Sequence, residues 1–332
     1  MTLGIGVIGV GVLGRRHAEN VARLGGRGRL VAVSDVNATA AEAVGRELGC
    51  DWYTDPYQLI DRSDIQAVII VTGSDTHAPL TIAAAGRGKD VFCEKPLAPT
   101  VEEARAAVDA VNRAGVRLQI GFMRRYDPSY REAYEAIDRG EIGRPVLFTA
   151  VSRDAEPPPR PYFSSPGAGG IFLDSGIHDF DLARWLMRDE VRMVSASGAL
   201  LACQDLADVQ PVDLGLATLT FQSGTVGTVE VYRRALYGYD IRTEVLGTEG
   251  AVRIGDQNRY PVHVLHPTSI AHTMAHHWLD RFRDAYALEI EDWASRMAGD
   301  RPAAVTGEDG IRSVAIAIAA ETSRQTGRSV EL

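Results

Sequence analysis

The stretch "LGIGVIGVGVLG" at residues 3–14 decides how the first third of this chain folds. A β-branched apolar run ends in Gly9, Gly11 and Gly14, spaced G-x-G-x-x-G, and the helix-like segment "VLGRRHAENVARLG" follows directly. In a chain with 33 glycines the spacing alone is weak. Its place at a strand-to-helix turn gives it content. Gly9 permits the tight turn, Gly11 lets the backbone approach a pyrophosphate, and Gly14 lets helix and strand pack closely. Val10, Val12 and Leu13 complete the loop. The helix start adds unpaired N–H groups and partial positive charge, which suit phosphate.

Outward from this turn, four more short apolar runs alternate with amphipathic segments. The runs are "RLVAVSD" (29–35), "AVIIVTG" (67–73), "DVFCEKP" (90–96) and "VRLQIGF" (116–122). Several of the segments between them open on Asn, Thr or Ser and close on Gly, as capped helices do. Apolar strands separated by helices predict a parallel sheet covered on both faces. After about residue 123 the texture changes. A helix "DPSYREAYEAIDRG" leads into long alternating stretches at 145–154, 191–202, 213–222, 225–235 and 240–255, with "QSG" (222–224) and "TEG" (248–250) as hairpin turns. The expected fold is therefore α/β in two parts. A doubly wound Rossmann domain covers 1–123, and an α/β domain with an open, mostly antiparallel sheet covers 124–332, flanked by helices at 176–188, 276–298 and 307–326. "EPPPRP" (156–161) is stiff and extended, and reads as a spacer or a pocket wall.

Bulk composition agrees with two ordinary globular cores: 332 residues, 45% apolar and 24% charged. Net charge is −9 and no basic cluster is denser than "MRRY", which argues against a nucleic-acid partner. No apolar run reaches bilayer length, and the N-terminus lacks the basic start and cleavage site of a signal peptide. Cys50, Cys93 and Cys203 are odd in number and widely spaced, as reduced thiols are. A cytoplasmic protein without a membrane partner is expected. His276 and His277 are adjacent, diverge by about 100° on a helix and have no third ligand nearby, so no metal is expected.

The carboxyl ends of the first strands collect candidate ligands. "VSDVN" places Asp35, followed by Val36, about 20 residues beyond the glycines, where a carboxylate accepts hydrogen bonds from a ribose diol. A 2′-phosphate would be repelled there and no Arg follows, so NAD is expected over NADP. "VTGSDTH" brings Thr72, Gly73, Ser74 and His77 to the same edge, and "CEKP" brings Glu94 and Lys95. Lys95 reads either as a solvated surface cation or as a stabiliser of oxygen charge that develops as hydride leaves. In "GGIFLDSGIHDFD" (169–181), Asp174 and His178 stand four apart and share one side of a helix. From the residues alone, a surface pair and a catalytic pair are equally open.

Taken in order, "VIGVGVLGRRH", "DTHAPL", "VFCEKPLA", "GFMRRYDPSY" and "GGIFLDSGIHDFD" resemble the glucose–fructose oxidoreductase and inositol dehydrogenase family over nearly the whole chain. "SRDAEPPP", "YGYDIRTEVLGTEG" and "TGEDGIRSVAIAIAAE" resemble its inositol 2-dehydrogenase branch. The resemblance implies Lys95, Asp174 and His178 as the catalytic set, with His178 accepting the hydroxyl proton, Asp174 orienting its neighbours and Lys95 stabilising the alkoxide. It also implies that Met123, Arg125, Tyr237 and, more weakly, Arg153 lie near the substrate or nicotinamide. Asp179 and Asp181 read as cap or packing residues. The family's open sheet commonly forms an oligomer interface, which implies a homo-oligomer, a tetramer or dimer. The implied reaction is NAD-dependent oxidation of a cyclic polyol, an inositol before others. Two departures lie beside the substrate: Gly176 replaces that branch's threonine, and the segment 162–170 is about two residues longer. A pyranose or anhydro-sugar therefore stays open as substrate. So do a redox-neutral reaction on retained cofactor and a nucleotide-sensing regulator on the same fold.

Overall fold

The computed structural model describes residues 2–164, 167–209, 212–255 and 258–332. Chain contacts divide it into two compact units, one of residues up to Met123 together with Tyr286–Val314, the other of Arg124–Ala285 with Ala315–Leu332.

In the first unit the apolar runs form β1 (Leu3–Ile8), β2 (Gly28–Ser34), β3 (Asp51–Tyr53), β4 (Ala67–Ile70), β5 (Asp90–Glu94) and β6 (Leu118–Gly121). Between them lie α1 (Val12–Ala22), α2 (Ala38–Leu48), α3 (Pro56–Ile60), α4 (Ser74–Gly86) and α5 (Val101–Ala114). The strands order as β3-β2-β1-β4-β5-β6 and every pair is parallel. This is the doubly wound sheet expected, with the chain reversing direction between β1 and β4, where such sheets bind ligands. Asn37 caps α2 through the Ala40 N–H at 3.2 Å, and Thr100 caps α5 through the Glu103 N–H at 3.2 Å. Ile290, Trp293, Ala294 and Met297 enter the same core as Ile5, Val7, Val33, Ile69 and Phe92. The segment from Tyr286 thus packs with the first unit although it follows the second in sequence.

The second unit opens with α6 (Pro128–Asp138), whose Asp127 cap and Pro128 start fit a helix N-terminus. Then come β7 (Pro145–Asp154), the short α7 (Arg160–Phe163), α8 (Ile177–Met187), β8 (Val191–Ala199), β9 (Leu214–Phe221), β10 (Val226–Arg233), β11 (Asp240–Gly247) and β12 (Ala251–Ile254). With the terminal β15 (Val330–Glu331) they form a seven-stranded sheet, β12-β11-β7-β10-β9-β8-β15. All its pairs are antiparallel except β7 with β10. A hairpin of β13 (Asn258–His266) and β14 (Ser269–Met274) stands apart from it. The long helices are α9 (Trp278–Ala298) and α10 (Gly307–Thr326).

Strand alternation gives the sheet two unlike faces. Phe148, Ala150 and Ser152 are buried on the side of α8. Leu216, Val226 and Leu246 stand exposed on the other. Among the described residues no helix is long and apolar enough to cross a membrane, and no cluster of His, Cys, Asp or Glu could hold a metal ion.

Candidate active site

In the first unit the site is built on strand ends. Gly9 has φ +87°, left-handed backbone that favours glycine, and a Cβ on Gly14 would collide with the Gly9 carbonyl oxygen. Gly11 opens α1 with nothing near its missing side chain, and Val12 and Val36 beside it are exposed. Asp35 binds this loop directly. Its Oδ2 accepts from the Val10 N–H and its Oδ1 from the Asn37 N–H, each at 2.8 Å. The carboxylate expected for the ribose therefore also holds the glycine turn in shape.

Gly73 and Ser74 begin α4, and the Thr76 hydroxyl ties Thr72 to the Gly73 carbonyl at 2.6 and 2.8 Å. His77 is buried, with Nδ1 2.7 Å from the Pro96 carbonyl and Nε2 3.1 Å from the Thr72 carbonyl. Two carbonyls would suit an imidazolium, but burial outweighs them and holds the ring below its usual range. The His77 ring therefore joins the turn after β4 to the turn after β5. Glu94 is buried next door. Its Oε1 lies 2.8 Å from His17 Nε2, and its Oε2 accepts from the Lys95 N–H at 3.2 Å. Lys95 follows at the end of β5, half-buried, and Met123 lies buried just after β6. His17 was not singled out in the sequence, because its partner is 77 residues away.

In the second unit the chain is wound as a π-turn over Phe172–Gly176 and continues as α8. Such turns, with i→i+5 bonding, are uncommon and frequent at functional sites. Asp174 lies in the π-turn and His178 one turn later. The Asp174 Oδ1 accepts from the Tyr162 hydroxyl at 2.6 Å, and its Oδ2 accepts from Arg233 Nη2. Burial, with Asp174 beside it, pushes the Tyr162 hydroxyl up. A Cβ on Gly176 would stand 3.3 Å from Val231 Cγ2 of β10, tighter than ordinary contact. A threonine there would require Val231 to give by a few tenths of an ångström. In the segment 162–170, Ser165 and Pro166 lie outside the described residues, so its extra length is not located further.

Three expected substrate contacts have partners within the chain. Arg125 donates to both oxygens of Asp181, at 2.8 and 2.5 Å, because a buried carboxylate needs a cation. Asp179 is met by Arg124 at 2.6 Å and by the Ser152 hydroxyl at 2.6 Å, and burial pushes its carboxyl up. Arg153 leaves β7 on the face opposite Ser152, as alternation requires. There it donates to Glu230 at 2.6 Å and to the Tyr237 hydroxyl at 2.7 Å, and Tyr237 donates on to Asp240 at 2.7 Å. The structure thus groups Arg153 with Tyr237, across the sheet from Asp174.

Residues 3–122 match a family model described as an oxidoreductase family, NAD-binding Rossmann fold, and residues 134–332 match that family's C-terminal alpha/beta domain. The chain belongs to the glucose–fructose oxidoreductase and inositol dehydrogenase family. It is 39% identical to scyllo-inositol 2-dehydrogenase (NAD(+)) of Bacillus subtilis, covering 98% of this chain and 95% of that one. It is 37% identical to Myo-inositol 2-dehydrogenase of Thermotoga maritima, covering 99% and 98%. The crystal structure of scyllo-inositol dehydrogenase from Lactobacillus casei, with bound NAD(H) and scyllo-inositol, superposes with a TM-score of 0.93 at 29% identity, covering 100% of this chain and 99% of that one. The first unit is accordingly this family's NAD-binding domain.

Proposed function

We propose that this protein is an NAD-dependent dehydrogenase that oxidises a secondary hydroxyl of an inositol to a ketone. The observation that carries the reading is full-length similarity to two proteins named as inositol 2-dehydrogenases, joined to the presence of Lys95, Asp174 and His178 in their motifs.

Oxidation of the alcohol removes a hydride from carbon and a proton from oxygen. NAD⁺ supplies the hydride acceptor. The loop Gly9–Gly14 and the start of α1 would hold its phosphates, Asp35 its ribose, and the edge formed by Thr72, Gly73, Ser74 and His77 the remainder. His178 takes the hydroxyl proton, a step worth about 10²–10⁴ in rate. Lys95 stabilises the negative oxygen as the proton leaves, worth about 10²–10³. Asp174 orients a substrate hydroxyl. The reading extends to a cytoplasmic homo-oligomer. Three unpaired cysteines support the compartment, and the exposed Leu216, Val226 and Leu246 on one sheet face support assembly.

The test is absorbance of NADH during incubation with NAD⁺ and, separately, myo-inositol, scyllo-inositol, aldoses and anhydro-sugars. Steady NADH formation with an inositol is expected. Turnover of sugars alone would move the substrate class, and no turnover across the panel would favour the regulator.

A further inference from the structure

Asp174 is gripped from two elements of the second unit. Arg233, the last residue of β10, reaches it through Nη2, which also lies 3.4 Å from the Ser175 hydroxyl. Tyr162 of α7 reaches its other oxygen at 2.6 Å. The arginine is an odd choice for packing. Its side chain is 1% exposed, the Phe163 ring lies 5.3 Å from its guanidinium carbon, and Nε and Nη1 are buried with no hydrogen-bond partner among the described residues. Buried N–H groups left unpaired oppose folding, and an apolar side chain of similar volume would avoid that. The place where the charge has a use is the carboxylate it meets.

We infer that Arg233 is the positioning residue of the catalytic turn: with Tyr162, it fixes Asp174 as a charged acceptor aimed at a substrate hydroxyl. The inference rests on the dehydrogenase reading above. A carboxylate accepts about four hydrogen bonds, so Arg233, Tyr162 and a substrate hydroxyl are compatible with one another. Among the described residues, the ionisable groups around Asp174 include Arg233 from β10, Tyr162 from α7, Asp154 from β7 across the Ser175 hydroxyl at 3.5 Å, and His178 one turn along. Removing the guanidinium leaves Asp154 as a like-charged neighbour. Asp174 then takes up a proton at higher pH than in the wild type.

The experiment is the pH profile of kcat/KM for inositol oxidation in Arg233→Met, Tyr162→Phe, Asp174→Asn and the double variant Arg233→Met/Asp174→Asn. NAD⁺ affinity and cooperative thermal unfolding serve as checks of the fold. Arg233→Met is expected to lose about 10²-fold in kcat/KM and to move the acidic limb to higher pH, with Arg233→Lys restoring part of both. Tyr162→Phe is expected to move the limb in the same direction by less, and carries the test if Arg233→Met does not fold. In the Asp174→Asn background, Arg233→Met should change kcat/KM by less than about threefold, because the arginine acts through that carboxylate. A folded variant with an unmoved limb, or losses that multiply in the double variant, overturns the role of Arg233 alone. Absence of wild-type turnover with every polyol and sugar overturns the dehydrogenase reading, and this inference with it.

Discussion

His17 Nε2 lies 2.8 Å from Glu94 Oε1, and both side chains are buried where α1 meets the end of β5. The other Glu94 oxygen receives the Lys95 N–H, so the imidazole steadies the residue directly before the proposed catalytic lysine. His17→Leu would leave a buried carboxylate short of its donor. A loss of about 3 kcal/mol is expected, with His17→Gln losing clearly less because it keeps an N–H. Urea unfolding measures both, and equal losses would show that the hydrogen bond is not the reason.

Asp35 holds the Val10 and Asn37 N–H groups, and its proposed second duty is to meet the ribose. Asp35→Ala should weaken NAD⁺ binding at least about tenfold, or about 1.4 kcal/mol, and weaken NADP⁺ binding less. Fluorescence titration with both nucleotides gives the ratio. An unchanged ratio would leave only the loop-holding duty.

Lys95→Met and His178→Ala should each lower kcat by at least roughly tenfold while largely sparing NAD⁺ affinity. Single-turnover measurements at saturating polyol separate chemistry from binding. Near-wild-type turnover in either variant removes that residue from the reaction.

Arg125 is paired with Asp181 through two hydrogen bonds, and its guanidinium lies 5.7 Å from the Trp185 ring centre. Its replacement is expected to act on stability. Arg125→Met should destabilise the protein by about 3–5 kcal/mol, with KM for the polyol within about twofold of wild type in the surviving folded fraction. A large rise in KM with unchanged Tm would return Arg125 to the substrate.

His77 supplies a pH dependence. Burial lowers its folded-state pKa, so below the ordinary imidazole value of about 6.5 the unfolded chain binds a proton that the folded chain does not. Its contribution is present above that value and is lost as pH falls through the folded pKa, with a slope of at most about 1.4 kcal/mol per pH unit. Denaturation curves from neutral to acidic pH should show this slope in the wild type and a shallower one in His77→Gln.

Much of this architecture was legible because the signals were local. Apolar runs, caps and glycine turns marked five of the first sheet's strands, and β7 and α10 run as expected over 145–154 and 307–326. β3 went unread because Asp51, Trp52 and Tyr53 are short and largely outside the core. The β13–β14 hairpin mixes proline and histidine with apolar residues that stay exposed, so no buried face betrays it. Trp293 and its neighbours return to the first core from beyond the second sheet, which linear order cannot announce. At the site, the i,i+4 spacing of Asp174 and His178 was visible, whereas the guanidinium on Asp174 comes from 59 residues downstream. The π-turn has no signature beyond glycines that also suit a loop.

That turn makes segment length as informative as residue identity. An i→i+5 ring encloses one residue more than an α-helical ring. Deleting the single position between Phe172 and Asp174 could be absorbed by rewinding the turn as ordinary helix, which would keep the flanking residues near their present sides. Deleting one between Asp174 and His178 would bring the two side chains three apart, still near one side but turned by about 100° from their present relation. A descendant of this chain could retain the aspartate, the imidazole and every core contact and still fall silent through one missing codon.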